Sequence, residues 1–122
     1  LRVAPEHTED EVLDLMGKPR FAVFAEFVGL FRRLSRGLRR PVELAPYLIV
    51  GHPGETAAMV SAMREKLRAL GLRTCDAQIF TPSPGTLSTA MYRSGLSPEG
   101  KPLAVEKDVR ALQRRKALLS GS

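Results

Sequence analysis

Three times in this chain a short apolar run stops at a proline-bearing polar loop that leads straight into a helical pattern. The first is Leu1-Arg2-Val3-Ala4 into Pro5-Glu6-His7-Thr8. The second is Tyr47-Leu48-Ile49-Val50 into Gly51-His52-Pro53-Gly54-Glu55-Thr56, and the third is Ala77-Gln78-Ile79-Phe80 into Thr81-Pro82-Ser83-Pro84-Gly85-Thr86. A strand that returns through a helix comes back parallel, and the crossover is right-handed, so every such loop lies at the carboxyl ends of the strands, where α/β proteins bind ligands. The pattern therefore predicts an α/β fold with three parallel strands adjacent in sequence order. It also predicts one site at which Glu6, Gly51, His52 and Ser83 cluster.

Two of the loops carry Pro-Gly: Pro53-Gly54 and Pro84-Gly85 fit the central positions of a type II turn, where Pro presets φ and Gly accepts a positive φ. Such turns raise backbone N–H and C=O groups toward a ligand, and the partial positive charge at the start of the next helix suits a nucleotide or a carboxylate. Glu6 and His7 stand where a carboxylate could meet hydroxyl or ammonium groups. His52 reads as a loop filler held by backbone bonds. Glu55 reads as a first-turn carboxylate of the helix, favoured by the dipole alone. His7, His52 and Glu6 lack the helical His spacing of a metal site, so no metal ligands are assigned.

The helices follow from apolar spacing. Thr8 and Glu11 form a capping box for a helix over about residues 9–16, with Gly17 to end it. Phe24, Phe27, Phe31, Leu34 and Leu38 predict a long amphipathic helix over about 21–38 whose phenylalanines are core, and Arg40-Pro41 breaks it. Thr56 caps a helix with the buried stripe Met59, Val60, Met63, Leu67 and Leu70, stopped by Gly71. A short helix follows Thr86. Residues 93–122 read as a peripheral excursion with a turn at Ser97-Pro98-Glu99-Gly100, then a basic helix over about 107–119.

Composition narrows the classes. A length of 122 residues allows one domain or part of one, and 43% hydrophobic with 26% charged residues is ordinary for a globular protein. No apolar run approaches the ~18 residues of a membrane span, and the chain opens on Leu1 without a charged-then-apolar stretch that would read as a signal peptide. We expect a cytoplasmic chain that is a piece of a longer one, with no membrane partner. The single Cys75 supplies neither an internal disulfide nor an iron–sulfur site, and at the amino end of the third strand it reads as a buried, inert thiol. The net charge of +6 comes mainly from 14 Arg against 5 Lys. Arg32, Arg33, Arg36, Arg39 and Arg40 form one cluster and Arg110, Arg114, Arg115 and Lys116 another. A solvated helix face accounts for both; an RNA footprint is the sharper alternative, although no aromatic residues are interleaved to stack bases.

The segments Val3-Ala4-Pro5-Glu6-His7-Thr8-Glu9-Asp10-Glu11-Val12-Leu13, Gly51-His52-Pro53-Gly54 and Phe80-Thr81-Pro82-Ser83-Pro84-Gly85-Thr86-Leu87-Ser88-Thr89-Ala90-Met91-Tyr92 resemble the radical S-adenosylmethionine proteins of the YgiQ type. The likeness runs over nearly the whole chain. It implies a fragment of a partial parallel (β/α) barrel, contributing strands four, five and six, with S-adenosylmethionine and a 4Fe-4S cluster as cofactors. In that family the reduced cluster cleaves the sulfonium to methionine and a 5'-deoxyadenosyl radical, which removes hydrogen from a substrate. The cluster ligands form a Cys-x3-Cys-x2-Cys loop after strand one, which this sequence does not contain.

Carried over position by position, Glu6 resembles the polar strand-four residue that contacts S-adenosylmethionine, with His7 beside it. Ile49, Gly51, His52 and Gly54 fall in the strand-five segment that lies along the adenine, and Thr81 and Ser83 in the strand-six loop at the adenine edge. The family pattern Gly-x-Ile-x-Gly-x-x-Glu is altered here, since Tyr47 replaces the first Gly and Glu55 falls one residue late. The resemblance implies an enzyme in the parent protein, with this chain alone inactive and its substrate unspecified. The alternatives are a non-enzymatic nucleotide- or RNA-binding α/β module using the arginine faces, and a phosphate-binding barrel enzyme of another class. As a cut barrel the chain is expected to need partners, either the remaining half of its own barrel or, by self-association, a second copy.

Overall fold

The structure is a computed structural model that describes residues 1–39, 42–72 and 75–120. Its elements run β1 (Arg2–Glu6), α1 (Asp10–Met16), α2 (Phe21–Ser35), β2 (Ala45–Val50), α3 (Ala57–Ala69), β3 (Asp76–Ile79), α4 (Leu87–Ser94) and α5 (Val109–Ser120). The strands form one sheet in the order β1-β2-β3, and both pairings are parallel. The sequential order and the α/β class expected from the repeated loops are thus present.

Strand β2 alternates, with Pro46, Leu48 and Val50 buried and Ala45, Tyr47 and Ile49 half-buried on the other face. The helices sit on the first face. Val28 of α2, Val60, Met63 and Leu67 of α3, and Leu119 of α5 close over Leu48, Val50 and Ala77 to make the core. On the second face Tyr47 neighbours Asp76 and Ile49 neighbours the exposed Gln78, and none of the four joins the core cluster. Pro46 is tolerated in the central strand because it lies near its start, where a missing N–H costs least.

Several local expectations are corrected. β1 extends through Pro5 and Glu6, where the sequence pattern predicts loop; three steps of β1 from Val3 to Glu6 span two of β2 from Pro46 to Leu48, a bulge at the strand end. The capping box does not form. Thr8 donates instead to the Glu9 carboxylate at 2.9 Å, Lys66 approaches the same oxygen at 2.8 Å, and the N-cap of α1 is Glu9 with no side-chain cap. Asp10 rather tethers the next helix, accepting from the Phe21 N–H at 2.8 Å.

Helix α2 ends at Ser35, short of Leu38, and Arg40-Pro41, read as its breaker, lies outside the described residues. Its predicted core stripe is only partly inside: Phe24 and Phe31 pack on the core, while Phe27, Leu34 and Leu38 are exposed. The helix carries two adjacent apolar stripes, which apolar spacing alone does not separate. The Thr caps do form, with Thr56 accepting from Met59 N–H at 3.3 Å and Thr86 from Thr89 N–H at 3.2 Å. Cys75 is half-buried at the amino end of β3, its thiol donating to the Leu119 carbonyl at 3.1 Å, and burial first and Asp76 second push its pKa up.

Candidate functional site

All three strands end on the same side of the sheet, at Glu6, Val50 and Ile79, so their loops open at one end. At β1 the chain reverses through Glu6, whose φ of 67 is the one positive value at a non-glycine among the described residues. This left-handed step costs about 1 kcal/mol or more for a residue with a Cβ. It leaves the Glu6 carboxylate partly exposed, 3.4 Å from Lys18 Nζ, and turns His7 inward to full burial.

His7 is held from both ring nitrogens. The Glu9 N–H can only donate, so Nδ1, at 3.1 Å, accepts and the ring proton sits on Nε2, which donates to Glu55 Oε2 at 2.7 Å. Glu55 is itself 1% exposed. Its other oxygen accepts from the Gly51 N–H at 2.7 Å and from Arg115 Nη1 at 3.1 Å. Arg115 reaches further to Glu106, 3.8 Å away. One carboxylate therefore ties the β1 loop, the β2 loop and α5 together. Burying a charge is tolerated only when such partners replace water.

This corrects two sequence readings. Glu55 is not a first-turn helix carboxylate: α3 begins at Ala57, Thr56 caps it, and the Glu55 side chain turns into the interior. Arg115 is not on a solvated basic face, since its side chain is only 11% exposed and faces Glu55. Nothing local in the sequence pairs residue 7 or residue 55 with residue 115; the signal is long-range.

The Pro-Gly turns form as expected. The Glu55 N–H donates to the His52 carbonyl at 3.0 Å across Pro53-Gly54, and the Thr86 N–H to the Ser83 carbonyl at 3.4 Å across Pro84-Gly85, with φ of 94 at Gly54 and 80 at Gly85. At Gly51, φ is 81 and an added Cβ would fall 2.5 Å from Leu112 of α5. Glycine there lets the loop pass under α5. The Gly54 N–H donates to the Ala104 carbonyl at 2.7 Å, so the excursion before α5 covers the β2 loop.

His52 is buried and fully engaged: Nδ1–H donates to the Pro53 carbonyl at 2.9 Å, Nε2 accepts from the Ser88 hydroxyl at 2.8 Å, and the ring meets Phe80 edge-on at 5.2 Å. Ser83 is anchored to the same helix, its N–H donating to Thr89 Oγ1 at 2.8 Å. The β2 and β3 loops are thereby joined through α4.

Of the expected site residues, His7, Gly51, His52 and Gly54 are committed to holding the loops in place. Glu6, Thr81 and Ser83 keep exposed or partly exposed side chains at the strand ends, and Ile49 is half-buried on the sheet face opposite the core. None of these four lines a nearby cleft of about 510 Å³, which lies between α1, α4 and the 98–99 turn and is walled by Glu11, Asp14, Thr86, Ser88 and Glu99. No group of three or more potential metal ligands occurs among the described residues. No helix among them is long and apolar enough to cross a membrane.

Burial lowers the His52 pKa from the ordinary 6.5; His7 acts in the same sense, while the Pro53 carbonyl, Glu55 and Glu6 oppose it. The fold thus favours the neutral ring. As pH falls through about 6.5 the unfolded chain takes up this proton first, so the contribution of His52 to stability is complete above that pH and declines below it. Urea unfolding between about pH 7.5 and 5 should show wild-type stability falling with acid more steeply than that of His52→Gln. Parallel slopes would show that His52 does not carry this linkage.

No protein-family model matches the chain. Over essentially its whole length it is similar to proteins named UPF0313. One from Geobacter sulfurreducens is 45% identical over 120 residues, 98% of this chain and 20% of the relative. One from Thermotoga maritima is 41% identical over 118 residues, covering 95% of this chain and 21% of the relative. One from Clostridium botulinum is 36% identical over 123 residues, covering 100% and 19%. The chain spans about a fifth of the length of these curated relatives.

Proposed function

We propose that this chain is the S-adenosylmethionine-binding part of a radical S-adenosylmethionine enzyme of the YgiQ type, namely the second half of a partial (β/α) barrel. The observation that carries the reading is the common placement of the three strand ends, with the β1 and β2 loops fixed to each other through Glu55 and the β2 and β3 loops through His52 and α4. The whole-length similarity to proteins about five times longer supports the view that the chain works inside a larger polypeptide. The sheet face opposite the core, with half-buried Tyr47 and Ile49 and exposed Gln78, fits the inner wall of a barrel whose other strands come from elsewhere.

The residues present fit one of the two groups. Glu6 offers a partly exposed carboxylate for an ammonium or ribose hydroxyl, Ile49 an apolar surface for the adenine, and Thr81 and Ser83 exposed polar groups for its edge. The cofactor, when bound, supplies the carbon radical that abstracts hydrogen from the substrate. A 4Fe-4S cluster does not fit, because one thiol, itself bonded to the Leu119 carbonyl on the far side of the sheet from the loops, cannot replace three thiolates. We place the cluster ligands outside this chain.

Anaerobic reconstitution with iron and sulfide tests the division of labour. The Geobacter sulfurreducens relative should develop the broad visible absorbance of a 4Fe-4S cluster, while this chain alone should show none and should bind S-adenosylmethionine weakly at best. A stable cluster on this chain, or none on the relative, would contradict the proposal.

A further inference from the structure

Helix α2 leaves an ordered apolar stripe in water: Val23 is 56% exposed, Phe27 38%, Leu30 47% and Leu34 69%. The core is served by a different stripe, Phe24, Val28 and Phe31. At 100° per residue the exposed four fall within a band roughly 60° wide. Their spacing of four, three and four residues is that of a coiled-coil seam. A monomer gains nothing from such spacing on a solvated face.

We propose that α2 is an interface between two copies of this chain, packed antiparallel about a twofold axis. In that arrangement Val23 faces the partner's Leu34 and Phe27 faces the partner's Leu30, so the stripe is complementary to itself, as an isologous contact requires. Charge selects the direction. Glu26 and Arg33 stand seven residues apart on the same rim of the seam, and neither has an ion-pair partner among the described residues. Antiparallel packing sets Glu26 beside the partner's Arg33 twice over, whereas parallel packing faces each rim with the partner's opposite rim, setting Glu26 toward the partner's Phe31 and leaving both charges unpaired. Arg32 and Arg36 lie on the side of the helix away from the seam. The stripe also runs into an apolar groove of about 280 Å³ between β1 and the start of α2, lined by Val3, Pro5, Pro19, Val23 and Phe27. Antiparallel packing carries the partner's exposed Leu38 toward that groove.

The interface does not depend on the S-adenosylmethionine reading and its test is separate from it. Sedimentation equilibrium over a concentration series should give a monomer–dimer equilibrium for the wild-type chain. Leu30→Glu should yield a monomer with unchanged circular dichroism, because Leu30 is outside the core. Glu26→Arg and Arg33→Glu should each weaken dimerisation by about tenfold, and the double exchange should restore it to within about threefold, as expected for paired rim charges. A monomer at every concentration would overturn the proposal, and is the result expected if a helix from a longer polypeptide is the true occupant of the stripe. Association insensitive to Leu30→Glu, or a double exchange that fails to restore it, would overturn it equally.

Discussion

Glu55→Ala is expected to cost about 3–5 kcal/mol of folding stability, the range for removing one partner of a buried, hydrogen-bonded ion pair. The substitution strips three donors at once: His7 Nε2–H, the Gly51 N–H and the Arg115 guanidinium. Against a total of about 5–15 kcal/mol for a domain, this leaves a chain that is marginal or unfolded at ambient temperature. Glu55→Gln keeps the shape and one acceptor oxygen, and should cost about 1–3 kcal/mol, as for a buried group left partly unsatisfied. Urea midpoints measured by circular dichroism rank the two variants. If Glu55→Ala unfolds within about 1 kcal/mol of the wild type, the carboxylate is not the tie between the loops.

The second large effect belongs to the strand that carries the central loop. Leu48 is 0% exposed in the middle strand and touches the core made by α2, α3 and α5. Leu48→Ala should cost about 2–5 kcal/mol through lost burial and the cavity left behind. Leu34→Ala, on the exposed stripe of α2, should change the stability of the monomer by no more than about 0.5 kcal/mol. The contrast separates the buried core from the exposed stripe of α2, which the spacing of phenylalanines and leucines alone does not distinguish from a core stripe. Equal losses at both positions would mean that α2 packs with its other face inward.

What was legible in the sequence was local. The Pro-Gly turns could be read because Pro and Gly restrict φ within the turn itself, and the Thr caps of α3 and α4 because their bonds close within three residues. The parallel order of strands followed from chain connectivity and handedness. What was not legible depends on distant partners. The missing cap of α1 reflects Lys66 drawing Glu9 toward α3. The burial of Glu55 is tolerable only because His7, 48 residues away, and Arg115, 60 residues away, converge on it. A carboxylate after Pro-Gly and before a capping Thr otherwise has every local mark of a helix start. The basic helix α5 was similarly ambiguous, since Arg115 turns inward while Leu112 and Leu119 bury its other contacts.

The reductive cleavage of S-adenosylmethionine by the reconstituted Geobacter sulfurreducens relative can be followed directly as release of 5'-deoxyadenosine. Release should fall by at least about tenfold when the residues aligned with Glu6 and Ser83 are replaced by Ala, with cluster absorbance unchanged, as expected for lost cofactor contacts. No 5'-deoxyadenosine from a protein with an intact cluster, or release indifferent to both substitutions, would contradict the assignment of these loops to the cofactor.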